Sequence, residues 1–103
     1  MTANIIKYED RPNFDRGDGV STALLYGKDN ADDTIFTSGF TTFPTGRAAP
    51  MHSHNCCEQV LIISGHAEVE CGGVKTELGA MDNSFIPANV PHRFNNVGDV
   101  PLT

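Results

Sequence analysis

The chain has 103 residues, which is room for one domain and one core. Its formal net charge is −6, its pI is ≈ 4.9, and it has no cluster of Lys or Arg, so nucleic acid and anionic membrane surfaces are excluded as main partners. No stretch approaches the roughly 20 apolar residues of a transmembrane helix, and the opening MTANIIKYED lacks the basic and apolar regions of a signal peptide, so a cytoplasmic location is expected.

Gly, Pro, Thr, Val, Ile and Phe are frequent, and no window carries an apolar stripe at helical period behind a cap; the chain reads as all-β. Asn4 to Tyr8 reads as a short apolar strand suited to an edge or to exchange with a second subunit. Asp10 to Gly19 sets Pro12, Gly17 and Gly19 among charges and reads as a loop, so that residues 1 to about 19 form an N-terminal arm. Val20 to Tyr26 is a strand, polar Gly27 to Asp33 a turn, and Thr34 to Phe43 the next strand, with a bulge predicted at Gly39.

Gln59 to Ser64 is predicted as a buried apolar strand, and Ser64-Gly65 turns the chain into a strand from His66 to Cys71. Gly72-Gly73 is a two-residue hairpin signal leading into Val74 to Leu78. That loop sets Cys71 opposite Val74, Val69 opposite Thr76 and Ala67 opposite Leu78, an apolar inward row, with Glu68, Glu70, Lys75 and Glu77 outward. His66 falls in the outward set and reads as a surface histidine. Ser84 to Pro87 and Pro91 to Asn95 are predicted as a final strand pair, with His92 and Phe94 on one face and Arg93 on the other. The three cysteines, Cys56, Cys57 and Cys71, are odd in number and two are adjacent, so no disulfide framework is expected and all three read as free thiols.

The stretch GRAAPMHSHNCCEQVLIISG, Gly46 to Gly65, holds the chemistry. His52 and His54 are two apart, so in extended backbone both imidazoles project to one face, and Glu58 keeps the same parity. The later segment GAMDNSFIPANVPHRFNN, Gly79 to Asn96, adds His92. Three imidazoles and a carboxylate suit iron, manganese, nickel, copper or zinc better than magnesium or calcium.

At these spacings the chain resembles the cupin superfamily. Gly46, His52, His54, Glu58 and Gly65 fill its first motif without a gap, and Pro87, His92 and Asn96 fall in place in its second. Met81 and Asn89 stand where that second motif has glycines; Asn is the side chain that best tolerates positive φ. The resemblance implies a double-stranded β-helix, or jelly-roll barrel, over a single domain 1–103. It also implies one divalent metal held by His52, His54, Glu58 and His92 with positions left for water or substrate.

The expected activity is that of a metal-dependent enzyme on a small organic molecule, of dioxygenase, isomerase or lyase type; the alternative is a module that binds a small metabolite without turnover. Glu58, and Cys56 on the parity of His54, are the candidate catalytic groups, and Met51, Phe94, Phe40 and Arg47 the candidate pocket residues. Asn96 is expected to tie down a turn through its side chain. Family members normally add another strand after Asn96; here it reads as short or missing, which means either a shortened barrel or a tail that lies beyond this sequence. The unpaired edge this would leave near Pro101 to Thr103, together with Asn4 to Tyr8 as a strand to donate, predicts a homodimer by strand exchange.

Overall fold

A computed structural model describes residues 3–103, which are strand and turn apart from one turn of 3-10 helix. One compact unit runs to Thr42 and a second spans Phe43–Thr103. No helix among the described residues is long and apolar enough to cross a membrane.

The first unit is a three-stranded antiparallel sheet ordered β1-β2-β3, with β1 at Asn13–Gly17, β2 at Val20–Tyr26 and β3 at Ser38–Thr42. The expected strand at Asn4 to Tyr8 is absent: the 3-10 turn covers Tyr8–Asp10, and the residues before it pair with no strand. Side chains anchor this segment instead. Asn4 donates from its amide to the Asn30 carbonyl, Tyr26 donates its hydroxyl to the Asn4 carbonyl, and the Arg11 guanidinium stacks over the Tyr8 ring.

The predicted loop at Asp10 to Gly19 is half strand, because its charged residues belong to an exposed edge rather than to irregular chain. Gly17, Asp18 and Gly19 all take positive φ, which folds β1 back on β2. β3 is shorter than the expected Thr34 to Phe43, and Ile35 is 98% exposed. The irregularity predicted at Gly39 lies on the opposite strand, where the register shifts between Leu24 and Tyr26. Gly39 itself is there for proximity, since a Cβ would stand 2.6 Å from the Ala23 carbonyl oxygen.

In the second unit β4, Glu58–Leu61, pairs with β7, Asn83–Ile86, and β5, Ala67–Cys71, lies between β6, Val74–Leu78, and β8, His92–Asn96. The β5–β6 hairpin has the predicted register residue for residue. Ala67 and Val69 are buried as expected, but all of edge strand β6 except Leu78 is exposed. Gln59 to Ser64 was expected to be buried throughout; β4 instead alternates, with Leu61 and Ile63 open to solvent and Ile62 buried. A continuous apolar run does not reveal by itself that one side lacks a covering layer.

The expected pairing of the last two strands with each other is also corrected. Pro87 and Pro91, without N–H groups, and Asn89 at φ 68 carry the chain from one sheet to the other, so β7 pairs with β4 and β8 with β5. Finally, Pro101 to Thr103 is not an unpaired edge. Leu102 is buried and exchanges backbone hydrogen bonds with Phe43, while Thr103 accepts from Ile63 and exchanges bonds with Ser64. Gly65 takes φ 92 beneath this tail, where a Cβ would meet the Pro101 carbonyl oxygen at 2.7 Å. The strand-exchange route to a dimer therefore has neither the donated strand nor the open edge.

Candidate metal centre

Residues 47–54 belong to no named strand, yet they run antiparallel to the second motif. Asn96 donates its N–H to the Arg47 carbonyl, Ala49 to Phe94, and His52 and His92 exchange backbone bonds of 3.0 and 2.8 Å. Asn89 N–H donates to the His54 carbonyl at 2.7 Å. The two motifs, about forty residues apart in the chain, are thus held backbone to backbone, and His52 faces His92 across the ladder.

Both positions where the second motif departs from glycine keep the glycine conformation: Met81 has φ 73 and Asn89 φ 68. Asn89 adopts this region readily, whereas Met81 adopts it at a steric cost its surroundings must offset. At the far end of β8, Asn96 is buried and satisfied. Its amide donates to the carbonyls of Phe43 and Val100, and its carbonyl oxygen accepts from Gly98 N–H. It ties down the turn after β8, as predicted.

The ligating atoms of His52, His54 and His92 all lie within 4.8 Å of one another, and the ring centroids are 4.5 to 5.4 Å apart. The Glu58 carboxylate closes the group, with Oε2 at 3.0 Å from His92 Nε2 and 3.6 Å from His54 Nε2. Two backbone carbonyls orient the rings. His52 Nδ1 donates to the Pro50 carbonyl at 2.7 Å and His92 Nδ1 to the Val90 carbonyl at 2.9 Å, which leaves each Nε2 facing the centre. Such second contacts are how ligating imidazoles are commonly held.

This donor set fits a divalent cation, and the test lies in the partnerless atoms. His92 is 2% exposed, and neither its Nε2 nor Glu58 Oε2 has a hydrogen-bond partner although both are buried and 3.0 Å apart. Two buried acceptors facing each other without an aligned proton are costly. A shared cation is the arrangement that satisfies both, and imidazole with carboxylate is the mixed ligand set of first-row transition metals.

Cys56 and Cys57 are exposed free thiols in the loop between His54 and Glu58, and neither joins the clustered ligand atoms; Cys71 is half-buried. His66 is exposed and lies 3.5 Å from Glu77, apart from the cluster. Met51 is exposed beside His52, and Phe94 is buried two residues from His92 on the same face of β8. Arg47 is exposed and forms no ion pair among the described residues, while Phe40 is half-buried on β3 of the first unit, in register with Ala23.

Pro50 and Val90 escaped the sequence reading because a backbone acceptor has no side-chain signature. Ser84 escaped as well. Register places it opposite Val60, on the inner face that Glu58 occupies two pairs along, and its hydroxyl is buried without a partner.

Comparison with known proteins identifies the family. Residues 39–103 match the cupin domain family, and the chain belongs to it. The uncharacterized protein MJ1618 of Methanocaldococcus jannaschii is 32% identical over 60 residues, covering 57% of this chain and 48% of that protein. The chain thus matches about half the length of that curated relative. Among solved structures, KdgF from Halomonas sp. has a TM-score of 0.81 at 19% identity, covering 98% of this chain and 88% of that one. A predicted oxalate decarboxylase from Thermotoga maritima has a TM-score of 0.80 at 19% identity, covering 96% and 92%. At such identities these two likenesses show the fold, which is the all-β jelly roll of the cupins.

Proposed function

We propose that the protein is a metal-dependent enzyme that acts on a small organic molecule, with His52, His54, Glu58 and His92 holding one divalent ion of iron, manganese, nickel, copper or zinc. The observation that carries this reading is the buried, partnerless pair of Glu58 Oε2 and His92 Nε2 at 3.0 Å. When bound, such an ion supplies Lewis acidity, or redox chemistry if it is a redox metal.

The chain's own residues do the rest. The Pro50 and Val90 carbonyls hold the His52 and His92 rings with Nε2 inward, and His54 keeps the centre open to solvent and to substrate. Glu58, half-buried and within reach of two imidazoles, is the group placed to accept or give a proton at the site. Cys56, exposed on the adjoining loop, is the second nucleophile or proton carrier within the motif. The Ser84 hydroxyl offers a polar group of the bound molecule a hydrogen bond that no protein group makes. Met51, Phe94 and Arg47 are the further pocket residues proposed within the unit that holds the centre.

An oxygenase needs a redox metal and an isomerase or lyase does not, so the test begins with elemental analysis of protein purified without chelators. Wild type is expected to hold one transition metal per chain, and His52→Ala and His92→Ala little or none. Oxygen consumption with the metal reduced then separates oxygenase from redox-neutral chemistry. Equal metal in wild type and both variants sinks the site; stoichiometric metal without turnover of any small-molecule panel turns the reading into a binding module. The protein is further proposed to be cytoplasmic and homodimeric, the cytoplasmic placement resting on the free thiols and the dimer on the apolar side chains of Leu61, Ile63 and Phe85 that stand exposed.

A further inference from the structure

Asn55, Cys56 and Cys57 are all that separates two proposed ligands, His54 and Glu58, and all three are exposed. Backbone holds both ends of this short link. The His54 carbonyl accepts from Asn89 N–H at 2.7 Å, and Glu58 opens β4 in register with Ile86. The link itself is bend and irregular chain, so no strand ladder fixes its two thiols on opposite sides. Two neighbouring thiols open to solvent are thus joined, through Glu58, to the buried and partnerless pair of Glu58 Oε2 and His92 Nε2.

We infer that Cys56 and Cys57 are a modification site for hydrogen peroxide, a dithiol that closes to a disulfide and thereby loosens the metal centre; the inference rests on the metal reading above and adds a control to it. One sulfur attacks the peroxide, the O–O bond breaks and water leaves, which gives a sulfenic acid. The neighbouring sulfur then forms the S–S bond as the S–O bond breaks and a second water leaves. The thiols lose two hydrogens and two electrons, and the peroxide is reduced to two waters. Adjacency strains the product. Neighbouring Cα atoms are about 3.8 Å apart, whereas bridged cysteines stand roughly 4.4–6.8 Å apart. That shortfall has to be absorbed by the dihedrals of a three-residue link with fixed ends, while a metal–ligand distance tolerates only about 0.2 Å. Glu58, next in the chain to Cys57, is the ligand displaced; His52 and His92 keep their ring bonds to the Pro50 and Val90 carbonyls. Strained, exposed disulfides are also the easily reduced ones, so the change reverses.

The test uses full-length, zinc-loaded protein before and after dilute hydrogen peroxide, with the excess removed by catalase. Trypsin and a glutamyl protease release residues 48–58, which carry both thiols without Cys71. After peroxide that peptide is expected to have lost a hydrogen from each sulfur and to resist iodoacetamide. Zinc affinity, read by competition with a chromogenic chelator, is expected to weaken about 10- to 100-fold and to return with dithiothreitol. Cys57→Ser is expected to bind zinc as tightly as reduced wild type and to keep that affinity after the same peroxide dose. Reduced wild type that binds no zinc overturns the metal reading and this control together. With zinc bound, the inference alone is overturned if the two thiols stay open to alkylation or stop at an oxygen adduct on sulfur. A disulfide that leaves zinc affinity unchanged overturns it too, as does an equal loss of affinity in Cys57→Ser.

Discussion

Replacing Glu58 by Gln tests the centre because the expected effect changes sign with metal. In the metal-free protein, the buried Oε2 confronts His92 Nε2 at 3.0 Å without a hydrogen bond. A Gln amide of nearly the same shape places an N–H donor there, and one hydrogen bond contributes about 0.5–1.5 kcal/mol. For a domain of this size each kcal/mol moves Tm by roughly 4–8 °C, so the metal-free variant should melt about 2–12 °C above wild type. With metal at a hundred times its Kd, wild type gains about 2.7 kcal/mol, because the ion binds the folded state alone. Loss of the anionic ligand, taken as about a hundredfold in affinity, reduces that gain to about 0.4 kcal/mol by the same relation.

Differential scanning calorimetry on chelator-treated protein, titrated with zinc or manganese, reads both numbers. The expected outcome is a raised metal-free Tm together with a collapsed metal-induced shift. If the metal-free variant melts below wild type, Glu58 and His92 are joined as a stabilising ion pair, and the argument from partnerless atoms is refuted. A full metal-induced shift in the variant removes Glu58 from the ligand set.

Two further outcomes are expected. Gly65→Ala should cost about 1–3 kcal/mol in urea unfolding, since the position combines φ 92 with a Cβ approach of 2.7 Å to the Pro101 carbonyl oxygen; unchanged stability would mean that the tail does not pack there. Cys56 and Cys57 should react with a disulfide reagent in the native state well before half-buried Cys71, and equal rates at all three would contradict the placement of Cys71 on β5.

What the sequence determined by itself was local. The β5–β6 hairpin register follows from one Gly-Gly pair and a period of two, and the structure reproduces every pair. The three histidines were legible because parity and motif spacing are both short-range properties of the chain; their ligating atoms lie within 4.8 Å of one another, and Glu58 lies beside two of them. Asn96 was legible for the same reason, its partners lying partly in the turn that follows it.

Tertiary structure alone decided the rest. Whether an apolar run such as Gln59 to Ser64 is covered on one side or both depends on what packs against it, which no local pattern states. The partners of β7 and β8 depend on where a proline-bounded turn sends the chain, and so the two strands that are neighbours in sequence joined different sheets. The tail was misjudged because the hydrogen-bonding partners of Leu102 and Thr103, Phe43 and Ser64, lie about 60 and 40 residues away. The carbonyls of Pro50 and Val90 hold the ligand rings through backbone atoms that every residue possesses. Their role comes from position in space, and composition carries no trace of it.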